Sequence, residues 1–325
     1  RGSLAFVGQA GAAPFVTTFN AAVGTSALTL NAITIGTAAV GGAATFGSDV
    51  FVKSLNLVSG DHASEVALGT FSGNLTTTAI VLNDLTAGVA KLVIAGTGTT
   101  VAGTIDAAAT GEGILQITGA GTTISGVVGD GTTDLAAIDV DATTTFSTTT
   151  EAVAYTVDAD TTFTGAVLAN TAFTVDTAGT DVILTAASDL SLATVTTGTL
   201  TSNGLLTTTD LINTAGKVYL NVKNNEMGTG RYAAGDGAEL HVGKAFVTTD
   251  VILIGDDANG GATDFHAGSK IYLPSNFTSG ETLKMTDSGA WDATDGTALT
   301  AAAAITVTLQ DTALVDFTAA AVVGA

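Results

Sequence analysis

The stretch ILQITGAGTTISG at residues 114–126 is a near-copy of the stretch KLVIAGTGTTVAG at residues 91–103. Each copy has alternating apolar residues, then a corner rich in Gly and Thr, then another apolar residue. Alternation with a period of two places one row of side chains inward and the other in solvent, as in a β-strand. A strand, a corner and a second strand that occur twice in succession are typical of two consecutive turns of a β-solenoid.

The same pattern continues with drift along the chain. Related stretches lie at residues 138–148, 155–165 and 173–186. The equivalent apolar residues before the corners, which follow one another at steps of 23, 23, 17 and 18 residues, are Ile94, Ile117, Val140, Val157 and Val175. Their partners after the corners are Val101, Ile124, Phe146, Phe163 and Val182. A slowly varying period near 20 residues predicts an all-β fold, a parallel β-solenoid with degenerate rungs of about 17–23 residues.

Composition favours the same fold class. The chain of 325 residues contains 40 Gly and only 2 Pro, and Thr and Val recur throughout. Gly suits tight corners and Thr suits a pleated surface, whereas the helix formers Glu, Lys, Arg and Met are scarce. Charged residues make up 12% of the chain, about half of the ~25% that soluble domains typically carry. We expect many short strands.

The charge and the cysteine count exclude several classes of partner and chemistry. The formal net charge is −21, from nine basic residues against thirty acids, and such a field repels nucleic acid and anionic membrane surfaces. The absence of cysteine excludes disulfides, thiol catalysis and cysteine-ligated zinc. No stretch reaches the ~18 consecutive apolar residues of a membrane helix, because Thr, Gly and Asp interrupt every one. We therefore expect no nucleic-acid partner and no membrane span.

A shift in composition near residue 210 predicts two regions. Residues 1–210 read as the solenoid, and residues 211–325 read as a β-rich region of irregular rungs or a separate β-domain. The second region holds six of the nine basic residues and the single Trp. Its expected strands are Lys217–Val222, Glu239–Val242, Val251–Ile254 and Ile271–Leu273.

The Gly-x-Gly corners at Gly96 and Gly119 raise the question of phosphate binding. A dinucleotide fingerprint needs a helix after the glycines and an acidic residue about 20 residues further on. Another Thr-rich strand follows here instead. We interpret these glycines as corner residues.

The acidic loop at residues 255–264 is the best candidate for a metal site. Its oxygen ligands would be Asp256, Asp257, Asn259 and Asp264. A helix-loop-helix calcium pattern fails, because Gly255 would occupy its first position and His266 its twelfth. Further aspartate pairs are Asp130 and Asp134, Asp139 and Asp141, Asp158 and Asp160, and Asp292 and Asp295. The alternatives are solvated turn carboxylates without a cofactor and a looser calcium cage.

The same Asp256 and Asp257 resemble the Gly-Asp-Asp stretch that β-helical polysaccharide hydrolases use as acid and base. Those enzymes also carry a histidine-glycine element and a basic substrate clamp, and the sequence has neither. No catalytic constellation remains, so we expect a protein that is not an enzyme, with a carbohydrate-active β-helix enzyme as an alternative.

Both ends of the chain are apolar and nearly uncharged. An open sheet edge is a template for another chain unless it is capped or charged, and neither end shows a polar capping helix or edge lysines. The residues predicted to form an assembly interface are Phe15, Val16, Phe19, Ile305, Val307, Leu309, Leu314 and Phe317. The alternative is that these strands fold back onto their own core.

Units such as LQITGAGTTISG, over most of residues 20–210, resemble repetitive bacterial surface proteins. These are S-layer subunits and autotransporter passenger regions of the rickettsial outer-membrane B type. The resemblance implies a secreted structural protein that assembles with itself into a filament, sheath or S-layer, and a surface adhesin is the alternative. Because the chain begins at Arg1 without an initiator Met, we expect an extracellular product from which an export or pro-segment has been removed, or a fragment.

Overall fold

The chain forms two compact units, residues 1–168 and 169–325. The structure is a computed structural model. It describes residues 2–8, 16–85, 88–129, 131–221, 226–227, 232–234, 238–242, 251–254, 264–265, 270–272, 282–285, 306–308 and 314–316. The described residues form strands and turns and contain no helix, which confirms the all-β prediction.

The first unit is built from two parallel sheets. Its strands are β1 (Ser3–Phe6), β2 (Val16–Phe19), β3 (Leu30–Ile35), β4 (Gly42–Phe46), β5 (Val50–Val58), β6 (Ala67–Phe71), β7 (Leu75–Asn83), β8 (Ala90–Ile94), β9 (Thr100–Ala107), β10 (Glu112–Ile117), β11 (Thr122–Ile124), β12 (Leu135–Val140), β13 (Thr144–Phe146), β14 (Thr150–Val157) and β15 (Thr161–Phe163). The odd-numbered strands pair in sequence in one sheet, and the even-numbered strands pair in sequence in the other. One strand of each sheet forms a rung, and each rung pairs with the next, so the unit is a parallel β-solenoid.

The register confirms the equivalences that the repeat predicted within this unit. Before the corners, Ile117 pairs with Ile94 on one side and with Val140 on the other, and Val140 pairs with Val157. After the corners, the same holds for the column Val101, Ile124, Phe146 and Phe163. All of these side chains are buried. Residues 91–103 and 114–126 are therefore two consecutive rungs.

Glycines allow the corners of successive rungs to stack closely on one another. Gly98 and Gly121 occupy the same corner position and have φ of 68° and 74°. Residues with a Cβ atom rarely adopt this backbone conformation. At Gly126 the reason is contact rather than φ, because an added methyl group would overlap the carbonyl oxygen of Gly103. The Gly-x-Gly pattern is thus explained by the corner.

Longer strands turn a corner within themselves. In β5, Val50 and Val52 are buried, and then the buried positions change from even to odd numbers at Leu55 and Leu57. Since successive side chains of a strand point to opposite faces, this change of phase marks a bend around Lys53. One strand can in this way contribute to two faces of its rung.

Buried threonines line one corner of the first unit. Thr122, Thr144 and Thr161 lie in register in adjacent rungs and are almost fully buried. Their hydroxyl groups donate to corner carbonyls, Thr122 to Gly119 at 2.6 Å, Thr144 to Ala142 at 2.7 Å and Thr161 to Ala159 at 2.8 Å. Each buried hydroxyl therefore braces the corner that precedes its strand.

The second unit continues the same kind of parallel pairing. After β16 (Val167–Val175), which spans the unit boundary, its strands are β17 (Asp181–Leu184), β18 (Ser188–Val195), β19 (Thr199–Ser202), β20 (Leu206–Asn213), β21 (Lys217–Leu220), β22 (Glu226–Met227), β23 (Tyr232–Ala234), β24 (Glu239–Val242), β25 (Val251–Ile254), β26 (Asp264–Phe265), β27 (Lys270–Tyr272), β28 (Thr282–Met285), β29 (Thr306–Thr308) and β30 (Leu314–Asp316). One sheet contains β17, β19, β21, β24, β27 and β29, a second contains β18, β20, β23 and β26 with β22 beside β20, and a third contains β25, β28 and β30. Its described core includes the column Val182, Leu200, Val218 and Leu240.

The strands expected beyond residue 210 are found close to their predicted positions. Glu239–Val242 and Val251–Ile254 match the prediction, and the other two strands are Lys217–Leu220 and Lys270–Tyr272. The region boundary expected near residue 210 lies inside β20, which pairs in parallel with β18 and β23. The parallel ladder therefore runs through that position.

We predict that Gly126→Ala destabilises the first unit. The new methyl group overlaps the Gly103 carbonyl, and overpacking of this kind costs about 1–3 kcal/mol. Urea unfolding followed by circular dichroism measures the change. Gly98→Asn is the matched control, because a side chain there meets open space and Asn tolerates positive φ. Equal stability of Gly126→Ala and the unsubstituted chain would contradict the stacking of these two corners.

We also predict that Thr144→Val lowers the free energy of unfolding by about 1 kcal/mol, the usual contribution of one buried hydrogen bond. The substitution keeps the shape of the side chain but removes the bond to the Ala142 carbonyl. Thr145→Val in the same strand is the control, since Thr145 points outward. If both variants unfold at the same urea concentration, the corner bond adds nothing to stability.

Candidate assembly site

The first rung of the first unit, formed by β1 and β2, has one unpaired side. β1 pairs with β3, and β2 pairs with β4. No strand among the described residues pairs with the opposite edge of either one. Their backbone N–H and C=O groups on that edge are therefore available for a further strand.

The inward side chains of the first rung are only partly covered. Phe6 and Phe19 are half-buried, whereas their partners one rung further in, Ile35 and Phe46, are 0% exposed. Phe6 pairs with Ile35 and Phe19 with Phe46 in the register. The positions are equivalent, and they differ in that no described rung covers the outer side of Phe6 and Phe19.

Stacked aromatic rings extend to this end of the solenoid. The Phe19 ring lies parallel to that of Phe46, with centroids 5.4 Å apart, and Phe46 stacks on Phe71 at 4.8 Å. Phe6 contacts Phe19 edge to face at 5.4 Å. Stacked and edge-to-face pairs of this kind are favourable beyond the area they bury. Phe19, a predicted interface residue, is thus the last ring of an internal stack.

The described residues of the first two rungs carry no charge and expose apolar side chains. Val7 is 55% exposed and Val16, another predicted interface residue, is 58% exposed. The sequence contains no charged residue and no histidine between Arg1 and Asp49. In a chain of net charge −21, the first two rungs therefore form an uncharged segment.

The structure describes only some of the remaining predicted interface residues. Phe15, Ile305, Leu309 and Phe317 lie outside the described residues. Val307 belongs to β29, which pairs with β27, and Leu314 belongs to β30, which pairs with β28. The role of these residues stays a prediction.

The predicted calcium ligands also fall mostly outside the described residues, namely Asp256, Asp257 and Asn259. Asp264 is described as the first residue of β26, where it pairs with Ala233 of β23. Among the residues that the structure describes, no group of three or more His, Asp or Glu side chains has the geometry to hold a metal ion. Calcium binding stays a prediction.

Asp139 and Asp141, one of the aspartate pairs, lie near Asp158 of another pair. Burial raises the pKa of Asp139 above its ordinary value, Lys91 lowers it, and the charges of Asp141 and Asp158 raise it further. The Gln116 Nε2 atom donates to Oδ2 of Asp141 at 2.7 Å. The stacking of rungs has therefore placed like charges side by side.

An acidic corner of the first unit was not found from the sequence. The carboxylate of Asp84 accepts hydrogen bonds from the backbone N–H of Ala90 and, at 2.8 Å, of Gly113 in the next rung. The Asp84 N–H donates to Oε2 of Glu112 at 3.3 Å. Asp84 thus joins two rungs through their backbone, which is a structural role.

No protein-family model, curated protein or solved structure matches this chain. The part of the chain that the structure describes holds no helix with the length and apolarity that a membrane crossing needs.

We predict that Asp139→Asn stabilises the first unit at pH 7 and not at pH 3. The folded state raises the pKa of Asp139, so the unfolding free energy of the unsubstituted chain increases as pH falls through that raised pKa. The side chain is partly solvated, so the gain at pH 7 is below about 1 kcal/mol. Urea unfolding at both pH values tests this. Asp61→Asn, which removes a charge from an exposed loop, is the control, and an equal gain at both pH values would contradict the prediction.

Proposed function

We propose that this chain is a secreted structural protein of the cell surface that assembles with itself through strand edges. The assembly would be a filament, a sheath or an S-layer. The observation that carries the proposal is the first rung, because no described strand pairs with the outer edges of β1 and β2 and their phenylalanines are half-buried.

The physical chemistry of that rung favours association. A further strand would satisfy the backbone groups along the edge and would cover Phe6 and Phe19, and burial of apolar surface contributes about 25 cal/mol per Å². Natural edge strands avoid such pairing with lysine, proline or inward charges. The strands SLAF and VTTF contain none of these.

The repeat itself suits a structural role. Each rung contacts mainly its neighbours, so stability grows with the number of rungs and not with a single central core. Asp84 has a structural role, because its carboxylate accepts backbone hydrogen bonds from two rungs. The resemblance to S-layer subunits and autotransporter passenger regions points in the same direction, and extracellular localisation is part of the proposal.

We predict ordered assemblies in electron micrographs of the purified chain, and their loss in the variant Thr18→Glu. Thr18 lies on the uncovered strand β2, so the substitution places a negative charge at the edge. Thr45→Glu is the matched control, because Thr45 pairs with Thr18 one rung further in. Circular dichroism verifies that both variants fold.

The same micrographs, taken with millimolar calcium and then with a chelator, test whether calcium joins the assembly. Dispersed monomers of the unsubstituted chain under both conditions would overturn the proposal and favour the adhesin alternative. Assemblies that persist in Thr18→Glu would show that the first rung is not their contact.

A further inference from the structure

We infer that the occupant of the uncovered first rung is the same rung of a second copy, related by a two-fold axis, so that the edge strands of the two copies run antiparallel. This inference rests on the proposed function and specifies its first contact. It assigns the apolar end formed by β1 and β2 as a face that recognises itself.

Electrostatics selects this end for contact between two copies. Two chains of net charge −21 repel each other wherever their charged surfaces approach. The first acid after Arg1 is Asp49, which directly precedes β5 in the third rung. Two rung spacings amount to about 10 Å, which is comparable with the Debye length of about 8 Å at physiological salt. The repulsion between described charges is therefore largely screened when two first rungs meet.

The end is also self-complementary. A two-fold contact places the same patch on both sides, so each patch must be a suitable partner for itself. Apolar side chains such as Val16 and Phe19 meet this condition, since they need no opposite charge. An antiparallel pair uses N–H and C=O groups of both edges equally, so two identical edges can pair.

Single-cysteine crosslinking tests the inference, because the natural chain has no cysteine. The variants are Thr18→Cys on the first rung and, as control, Thr123→Cys, which points outward from an interior rung. A short bifunctional maleimide is added to each folded, full-length variant, and the products are separated by denaturing electrophoresis. We expect covalent dimers from Thr18→Cys, none from Thr123→Cys, and no product larger than a dimer.

Two results would overturn the inference in different ways. Assemblies seen by light scattering together with no crosslink from Thr18→Cys would reject the two-fold contact and leave the proposed function intact. A crosslink that forms only when Thr18→Cys is combined with Thr308→Cys, in β29, would show a head-to-tail contact instead. Monomers of the unsubstituted chain at all concentrations would reject both the inference and the proposed function.

Discussion

The in-register stacking of each rung on the next is the constraint on which the rest of the structure depends. Parallel pairing places every inward side chain over the same position of its neighbour, as for Phe146 over Phe163, whose rings are 4.8 Å apart and nearly parallel. Close spacing of about 4.8 Å between strands also forces the corners to approach. Glycines at positions such as Gly103 and Gly126 allow this approach.

The same constraint explains why the phenylalanines of the first rung are less buried than inward residues of interior rungs. An inward residue of a solenoid is covered from two sides, by the rung before it and by the rung after it. Within the described residues, Phe6 and Phe19 have a neighbouring rung on one side only and are half-buried. The proposed self-association at this end is based on the contrast between the net charge of −21 and the lack of charge from residue 2 to residue 48.

Much of the fold was predictable from the sequence, while the first two rungs were harder. The columns through Ile117 and Ile124 follow from the repeat, because residues one period apart must stack. Before residue 60 the alternation gives no clean register, since the loops there vary in length, and pairs such as Phe19 with Phe46 appear only in three dimensions. Of the candidate assembly site, the sequence indicated Val16 and Phe19 but not their different roles, exposed and stacked.

The period, the alternation and the glycine corners by themselves determined that this chain is a parallel β-solenoid and which residues share a column, because these properties repeat along one dimension. Only the tertiary structure decided which groups a given acid reaches. Asp84 accepts from Gly113 in the next rung, and burial raises the pKa of Asp139 near Asp141. The distance between such residues depends on loop length and corner geometry. The apolar periodicity of the sequence encodes neither of these.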